Sequence, residues 1–435
     1  FPDISLTSHK YLQSFDDGSS KQLSEYFPHQ IDCDRVFSGD VNYTKNLSCE
    51  SIQVTFNHNS TKYNEVQARF ASAPSFYEPY TMAYAKIVYK DYQFLEQQMW
   101  NTYTRRSWYC FSIDLKASEN FRSKIINLEE CLPNVITGVS RKISGNGLNQ
   151  NYAHLDCMRI LESKKFEYVF LLQNHDILTR THKEFARILS SLEGSTVVDK
   201  YPCPSDRCLK SYPTNLGQLE LCPTSFTEQE LSSCEAGKIR YMKGGMQALL
   251  PKAASDSIVN VINATIFIDM YTKRFGGDET FFPSITTTEA LKIPGRYTAK
   301  CGYPRHLRYV IWWKKSKCAS GNMRNGVCVF GLEDIPTLKT VPQFLMNKMM
   351  PSFDYGVIQC FNELLLKRNL GIEPSYDDVE TFASGDYARF QRELRQPNFD
   401  PDKFVCNSRL SSTTTAKPTV RTTRQTTTTS PSKTS

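Results

Sequence analysis

The chain lacks the signature motifs of several large enzyme classes. It contains no Gly-x-Ser-x-Gly nucleophile elbow, which argues against a serine hydrolase of the α/β type. Only seven histidines are present and none forms a His-x-x-x-His pair, so a zinc protease is disfavoured. A P-loop and a Gly-x-Gly-x-x-Gly fingerprint are also absent. We interpret Gly145-Asn146-Gly147 as an ordinary loop rather than a phosphate cradle.

Long apolar runs and strong charge are missing as well. No stretch approaches the roughly 18 apolar residues that a membrane span requires. The chain begins with Phe1, and we expect that any signal peptide or membrane anchor was removed or not included. The formal net charge is +7, and four of the basic residues lie beyond residue 410, where there is no acidic residue. The remaining charge is too balanced to indicate nucleic-acid binding.

Cysteines and glycosylation signals indicate the compartment. Fourteen cysteines are spread over the chain, and no pair of Cys-x-x-Cys units suggests a zinc site. The spacing of Cys203 and Cys208 suits a small disulfide loop. Four Asn-x-Ser/Thr sequons predict N-glycosylation at Asn42, Asn46, Asn59 and Asn263. Together these features predict a protein of the secretory pathway that carries several disulfides.

Composition divides the chain into three parts. Residues 1–80 are polar and weakly periodic, which predicts an N-terminal stem or embellishment. Residues 81–410 have the pattern of a globular domain, with a cysteine-rich insertion at 195–240 that we expect to be stapled by disulfides. Residues 411–435 are dominated by Thr, Ser, Pro and basic residues, which predicts a disordered, mucin-like tail.

Strand and helix patterns alternate in the globular part and predict an α/β fold with a mainly parallel sheet. The predicted order is strand 83–90, helix 91–103, strand 108–114, helix 118–130, strand 135–139, helix 151–164 and strand 168–172. Further predicted elements are strand 239–250 with a glycine break, helix 252–264, strands 308–313 and 327–331, and helix 356–368. Ligands of such sheets bind beyond the carboxyl ends of the strands. Asp114 and Asp176 follow strands at that edge.

Gly276-Gly277-Asp278-Glu279 is the strongest candidate for catalysis. The glycines permit a turn with unusual backbone angles, and two aromatic residues follow at 281 and 282. An aromatic wall of low dielectric would suit Glu279 to act as a general base near neutral pH. The alternative is that both acids simply occupy the first turn of a helix, where the helix dipole favours them.

Two cations could bind phosphate. Arg324 lies in the short loop between Cys318 and Cys328, and a disulfide there would fix its guanidinium. Lys348 follows an apolar segment. Both could equally be ordinary surface charges, one solvated on a loop and the other extending from an apolar segment. Trp312 lies in an aromatic segment that would suit sugar stacking but is equally typical of a core.

These motifs occur together in one known family. The chain resembles the core-2/I-branching β-1,6-N-acetylglucosaminyltransferases, glycosyltransferase family 14, which also contains the peptide O-xylosyltransferases. The matching motifs follow the family's order and are Cys33-Asp34-Arg35-Val36-Phe37-Ser38-Gly39-Asp40-Val41, Ala83-Tyr84, Tyr109-Cys110 through Asp114, Cys131-Leu132-Pro133-Asn134-Val135, Leu155-Asp156-Cys157-Met158, Asp278-Glu279, Arg308-Tyr309-Val310 with Trp312, Arg324 before Cys328-Val329-Phe330-Gly331, and Asn347-Lys348 before Ile358-Gln359-Cys360.

The resemblance implies a GT-A-like fold with a Rossmann-like nucleotide half. It implies an inverting transferase that needs no metal or other cofactor, with Glu279 as the general base. The residues that it assigns to the UDP-sugar, most simply UDP-GlcNAc, are Val88, Lys90, Asp114, Arg324 and Lys348. Trp312 matches an acceptor-side aromatic residue, and we place Asp176 on the acceptor side as well. The implied acceptor is a glycan or glycoprotein, and the implied location is the Golgi lumen or the cell exterior.

The resemblance also implies four disulfides, namely Cys33–Cys360, Cys49–Cys131, Cys110–Cys157 and Cys318–Cys328. It assigns no partners to Cys203, Cys208, Cys222, Cys234, Cys301 and Cys406. The sequence departs from the family at Lys90, where the vertebrate enzymes have His, at 174–179, which replaces an Asp-Phe-Pro segment, and in the 195–240 insertion. Two other functions therefore stay open: xylosyl transfer to a peptide, and glycan binding by a catalytically decayed relative.

Overall fold

A five-stranded sheet forms the centre of the protein, as seen in a computed structural model that describes residues 31–46, 70, 80–209, 211–271, 275–301, 306–313 and 317–407. Its strands are β1 (Met82–Val88), β2 (Trp108–Ile113), β3 (Val135–Thr137), β4 (Tyr168–Leu172) and β8 (Ala248–Pro251). The spatial order is β3-β2-β1-β4-β8; the first four strands run parallel and β8 is antiparallel to β4. This arrangement confirms the predicted parallel α/β core.

The alternation of side chains along the strands creates two different faces. Tyr84 of β1 stacks on Tyr109 and Phe170 on one face, with ring centroids 5.0 and 5.4 Å apart. The other face of β1 begins with the small residues Ala83 and Ala85, both fully buried, and ends with Ile87. Small residues here let the helix Gln150–Leu161 lie close to the sheet. The disulfide Cys110–Cys157 joins β2 to this helix.

The helices follow the chain in a regular order. Those before and around the sheet are α1 (Cys33–Ser38), α2 (Val41–Asn46), α3 (Tyr92–Thr102), α4 (Glu119–Cys131), α5 (Gln150–Leu161), α6 (His182–Ser191), α7 (Glu228–Glu235), α8 (Lys252–Val261) and α9 (Thr265–Tyr271). The later ones are α10 (Phe281–Ile285), α11 (Ile335–Leu338), α12 (Tyr355–Asn369), α13 (Val379–Ser384) and α14 (Asp386–Leu394). Ser118 caps α4, and Thr181 with Glu184 forms a capping box on α6.

Short strands build the rim of the molecule. They are β5 (Ile177–Leu178), β6 (Lys200–Pro202), β7 (Met242–Gly244), β9 (Arg308–Tyr309), β10 (Met323–Arg324), β11 (Val327–Cys328) and β12 (Leu345–Met346). Strand β12 pairs with both β5 and β9, while β6 pairs with β7, and β10 with β11. These small sheets carry several of the candidate site residues described below.

Several predicted strands are shorter or divided in the structure: the expected strands 135–139 and 327–331, for example, cover only Val135–Thr137 and Val327–Cys328. The expected strand 239–250 is two strands, β7 and β8, because the chain turns at Gly244-Gly245. A Cβ on Gly244 would collide with the carbonyl oxygen of Asp199, so only glycine allows this close approach. The expected strand 308–313 ends at Tyr309; beyond it Trp312 makes a single bridge to Val327.

Six disulfides lie within the part of the chain that the structure describes. The pairs Cys33–Cys360, Cys110–Cys157 and Cys318–Cys328 are those that the resemblance implies. The unassigned cysteines pair as Cys203–Cys208, Cys222–Cys234 and Cys301–Cys406. Cys131 is buried, and its expected partner Cys49 lies outside the described residues.

Part of the expected N-terminal stem packs on the globular domain. Lys367 of α12 pairs with Asp34 of α1 at 2.6 Å, and Lys339 donates to the Phe37 carbonyl. The Cys33–Cys360 bridge spans 327 residues, so it stabilises the fold by roughly 5 kcal/mol in the chain-entropy model. Most of the expected stem and the whole expected tail, 411–435, lie outside the described residues. None of the helices described is both long and apolar enough to span a bilayer.

Candidate active site

A cleft of about 370 Å³ opens beyond the carboxyl ends of β1, β2 and β4, where ligands of open parallel sheets bind. Its walls come from the loops after these strands, the β10–β11 hairpin and the segment after β12. The lining includes Tyr89, Asp114, Lys116, Ser144, Gly145, Asn174, Arg324, Asn325, Asn347 and Lys348. Three predicted donor-binding residues, Asp114, Arg324 and Lys348, are thus brought together from distant parts of the chain.

Asp114 is held rigidly where β2 ends. Its backbone amide donates to the Val88 carbonyl at 2.9 Å, so the ends of β1 and β2 are tied together. Its carboxylate accepts from the backbone amides of Lys116 and Ile143 at 3.0 and 3.3 Å. Val88 itself is fully buried, so it shapes the cleft through its backbone rather than through an exposed side chain.

The loop after β1 is fixed by Asn174. The side-chain oxygen of Asn174 accepts from the amides of Tyr89 and Lys90, and its side-chain nitrogen donates to the Lys90 carbonyl. The Lys90 ammonium pairs with Asp91 at 3.5 Å, and Asp91 also contacts His175 at 2.7 Å. Lys90 therefore lies beside the cleft in an existing ion pair.

Arg324 stands on a tight hairpin. Strands β10 and β11 are joined by Asn325 and Gly326, both with positive φ, as a two-residue turn of the primed type requires. The Trp313 ring covers Gly326 so closely that a Cβ would collide with it. The predicted Cys318–Cys328 bridge lies behind the hairpin, and Nη1 of the exposed Arg324 side chain lies 3.2 Å from the Met350 sulfur.

Arg324 and Lys348 line the same cleft, close enough for the Arg324 charge to act on Lys348. Neither forms an ion pair with any described residue. The pKa of Lys348 is lowered from its ordinary value, first by burial and then by the Arg324 charge, while Asp176 opposes both. An anion placed between the two cations would relieve this repulsion, so the arrangement suits a phosphate group.

Glu279 lies at the end of a turn that glycine makes possible. Gly276 has φ +69°, and a single 3₁₀ turn covers Gly277–Glu279 before α10 begins. The half-buried Glu279 carboxylate forms an ion pair with Lys243 of β7. The aromatic residues at 281 and 282 are fully buried, and the partner that the structure gives to the carboxylate is a cation rather than the expected aromatic wall.

Asp278 is the buried member of the acidic pair. Its carboxyl group packs against Gly147, where a Cβ would collide with it. Burial, and secondly the charge of Glu279, raise the pKa of Asp278 to about 7; Lys243 and Arg308 act in the opposite direction. At neutral pH the Asp278 carboxyl group is therefore close to half protonated.

Arg308 is a site residue that our sequence reasoning missed, although it stood in one of the matched motifs. Its charge acts on both Asp278 and Lys348, so it lies near both the acidic turn and Lys348. Its guanidinium is 5.9 Å from the centre of the Trp312 ring. Lys243 was missed as well, because only the fold brings it to Glu279.

Trp312 is well placed for a sugar and Asp176 is not. Trp312 is 41% exposed beside Arg308, as an acceptor-side aromatic residue would be. Asp176 is 1% exposed, and its oxygens accept from the Gln173 amide and from the side-chain nitrogens of Gln247 and Asn347. The acceptor-binding assignment of Asp176 is therefore corrected: it fixes Asn347, the neighbour of Lys348.

The structure describes the side chains of two of the four sequon asparagines. Asn42 and Asn263 lie on the surface, where a glycan can be attached. The side chain of Asn46 and all of Asn59 lie outside the described part of the chain.

Comparison with known proteins adds the evidence that decides the family. A sequence model of the core-2/I-branching enzymes matches residues 82–339, more than half of the chain. The chain belongs to the core-2/I-branching enzyme family. The resemblance read from the motifs is therefore confirmed, and with it the GT-A-like glycosyltransferase fold.

Curated relatives of this core-2/I-branching enzyme have low sequence identity to it, but the alignments cover most of each relative. A β-1,3-galactosyl-O-glycosyl-glycoprotein β-1,6-N-acetylglucosaminyltransferase of Bos taurus is 21% identical, covering 84% of this chain and 92% of the relative. A probable human enzyme of that name, number 7, is 23% identical over 68% of this chain and 72% of its own. A mouse N-acetyllactosaminide β-1,6-N-acetylglucosaminyl-transferase is 19% identical over 71% and 80%.

Family membership makes this protein a glycosyltransferase. The matched segment contains Glu279 and Arg324, whereas Lys348 lies beyond its end at 339. The individual roles of these residues stay predictions, which the geometry above makes specific enough to test.

Proposed function

We propose that the protein transfers N-acetylglucosamine from UDP-GlcNAc to a glycan hydroxyl, forming a β linkage with inversion. The observation that carries this proposal is the pair of cations, Arg324 and Lys348, at the ligand-binding edge of the sheet, neither of which forms an ion pair with a described residue. The relatives are named as N-acetylglucosaminyltransferases that act on O-glycosyl glycoproteins, and these names support the proposed sugar and the proposed type of acceptor.

The donor would lie in the cleft beyond the sheet. Asp114 would contact the uridine from the end of β2, and the two cations would hold the diphosphate. As the bond between the sugar and UDP breaks, negative charge grows on the diphosphate, and fixed positive charges stabilise it most when water is excluded. In this proposal Arg324 and Lys348 supply that stabilisation, and no divalent cation is required.

Glu279 would be the general base. An acceptor oxygen attacks the anomeric carbon while its proton passes to the Glu279 carboxylate, and UDP leaves from the opposite side. Lys243 orients the carboxylate through their ion pair before the acceptor arrives. Arg308 lies close to both the acidic turn and Lys348. Its positive charge would help to stabilise the negative charge that develops on the leaving diphosphate.

The proposed location is the lumen of the Golgi, or another oxidising compartment of the secretory pathway. Six disulfides and the exposed sequons at Asn42 and Asn263 support it.

The decisive experiment is a transfer assay with a panel of UDP-sugars, with and without EDTA. We expect transfer from UDP-GlcNAc that survives EDTA and is lost in Glu279→Gln. Glu228→Gln, an exposed acid on α7, is the matched control. Preference for UDP-xylose would favour the peptide O-xylosyltransferase alternative. A folded protein that neither transfers sugar nor binds UDP would refute the enzymatic proposal.

A further inference from the structure

The link from β7 to β8 passes both the proposed base and the donor cleft. Lys243 forms the ion pair with Glu279, and Gly245 follows two residues later. After two more residues, the side chain of Gln247 donates to Oε1 of Gln173, which lines the donor cleft, at 3.2 Å. The residues of this link are therefore candidates for contact with the sugar of a donor whose reacting carbon faces the base.

Gln247 presents an acceptor that no described residue satisfies. Its side chain is fully buried, and its Nε2 atom donates to Oδ2 of Asp176 at 2.8 Å as well as to Gln173. Its Oε1 atom has no hydrogen-bond partner in the described part of the chain. Because a buried carbonyl oxygen without a donor is unfavourable, this atom indicates a group that the protein alone does not supply.

An unsatisfied donor faces the same place. The Arg308 side chain is half-buried, and its Nε atom is buried without a partner among the residues that the structure describes. A Cβ built on Gly245 would lie 2.8 Å from Gln247 Oε1 and 3.6 Å from Arg308 Nη2. Both side chains thus border one small space, and any side chain at position 245 would begin to fill it.

The acetamido group of an N-acetylated sugar matches these two unsatisfied atoms. Its N–H can donate to Gln247 Oε1, while its carbonyl oxygen accepts from the Arg308 guanidinium. Carbon 2, which carries this group, is bonded to the anomeric carbon, so the group lies beside the reacting centre. Arg308 is close to that centre, because its charge acts on both Asp278 and Lys348. A hydroxyl group on carbon 2 offers a single atom in place of this separate donor and acceptor.

We infer that Gln247 and Arg308, around the open space at Gly245, bind the acetamido group of the donor sugar and give the enzyme its preference for UDP-GlcNAc. The inference rests on the proposed function, since it needs a UDP-sugar in the donor cleft with its anomeric carbon facing Glu279. The two hydrogen bonds that the Gln247 side-chain nitrogen donates fix the direction in which its oxygen faces.

The test compares UDP-GlcNAc with UDP-glucose, which carries a hydroxyl in place of the acetamido group. The Kd for each is measured by calorimetry without an acceptor. Gly245→Ala places a methyl group in the open space, and Gln247→Met removes the acceptor. The matched controls are Gly145→Ala, whose methyl group meets nothing within 4 Å, and Gln150→Met, which removes the acceptor of the hydrogen bond from Gln173.

We expect the wild type to bind UDP-GlcNAc at least about 10-fold more tightly than UDP-glucose. Gly245→Ala and Gln247→Met should each reduce this preference about 10-fold, whereas the Kd for UDP, which lacks the sugar, stays at the wild-type value. Both controls should keep the wild-type preference, because they alter the cleft alike for the two donors. An unchanged preference in both variants would overturn the inference, since a water molecule would then suffice to explain the space. Equal binding of the two donors by the wild type would overturn it as well.

These binding measurements separate this inference from the proposed function. A wild type that prefers UDP-GlcNAc but transfers nothing would refute the proposed function and still support the acetamido site. A wild type that transfers from UDP-GlcNAc, with an unchanged donor preference in Gly245→Ala and Gln247→Met, would support the proposed function and overturn this inference.

Discussion

Replacing Asp278 by Asn should change how the stability of the protein depends on pH. The carboxyl group is buried against Gly147, and its pKa of about 7 compares with an ordinary value of 3.8. Asn has nearly the same shape and cannot ionise, so the substitution removes the titration while keeping the packing. Glu279, Lys243 and Arg308 are the charged groups that act on this site.

The magnitude follows from linkage. Below about pH 4 the carboxyl is protonated in both the folded and the unfolded chain, so the full stability is present. Between about pH 4 and 7 the unfolded chain ionises first, and the wild type loses about 1.4 kcal/mol of unfolding free energy per pH unit. Above pH 7 the accumulated loss levels off at roughly 4 kcal/mol, an order-of-magnitude figure. Asp278→Asn does not incur this loss.

The assay is urea-induced unfolding, with disulfides intact, at several pH values from 4.5 to 8.5 for wild type and Asp278→Asn. We expect the variant to gain stability over the wild type as pH rises to 7, and a constant difference above it. Asp256→Asn, which removes a surface carboxylate paired with Lys252, should show no such trend. A stability difference between Asp278→Asn and wild type that is independent of pH would refute the reasoning, because Asp278 would then be ionised in the fold at every pH tested.

Three further predictions concern the site. Arg324→Ala should raise the Kd for UDP about 10-fold or more in calorimetry, whereas Glu279→Gln should leave this Kd near wild type while lowering kcat about 100-fold or more; equal weakening of UDP binding by both would contradict the separation of roles. Lys243→Met should lower kcat about 10-fold while leaving the Kd for UDP near wild type, because the Glu279 carboxylate loses the cation that orients it; an unchanged kcat would show that the ion pair has no effect on catalysis. Gly147→Ala should lower stability by roughly 2 kcal/mol, because φ is +110° and the methyl group meets Asp278, whereas Gly145→Ala meets nothing within 4 Å; equal melting temperatures would argue against the contact.

The parallel core of the fold could be predicted because its signals are local. The strand at 168–172 is a short continuous apolar run, and the segments before it switch between strand and helix periods. The rim could not be predicted in the same way. Strands such as β9 and β12 contain two residues each, and their pairing depends on segments far apart in the chain. Helices α13 and α14 were not anticipated either.

The candidate site shows the same division. Glu279 and Arg324 stand in motifs that recur in a fixed order, so the sequence indicates them. Lys243 is one of 52 basic residues, and nothing in its neighbours reveals that β7 passes beside Glu279. Asp176 was misplaced for a related reason: a position at the end of a strand shows the edge of the sheet but not whether the side chain faces the cleft or the interior.

The two smallest disulfide loops have a consequence for where the enzyme can work. One carries Arg324 beside the donor cleft, and the other carries Arg207, which donates to the Phe275 carbonyl before the acidic turn. In a reducing compartment both arginines would gain conformational freedom, and ligand binding would then cost the entropy of ordering them again. Reduction of these two disulfides would thus weaken ligand binding. Sugar transfer would then be less efficient in a reducing compartment than in an oxidising lumen.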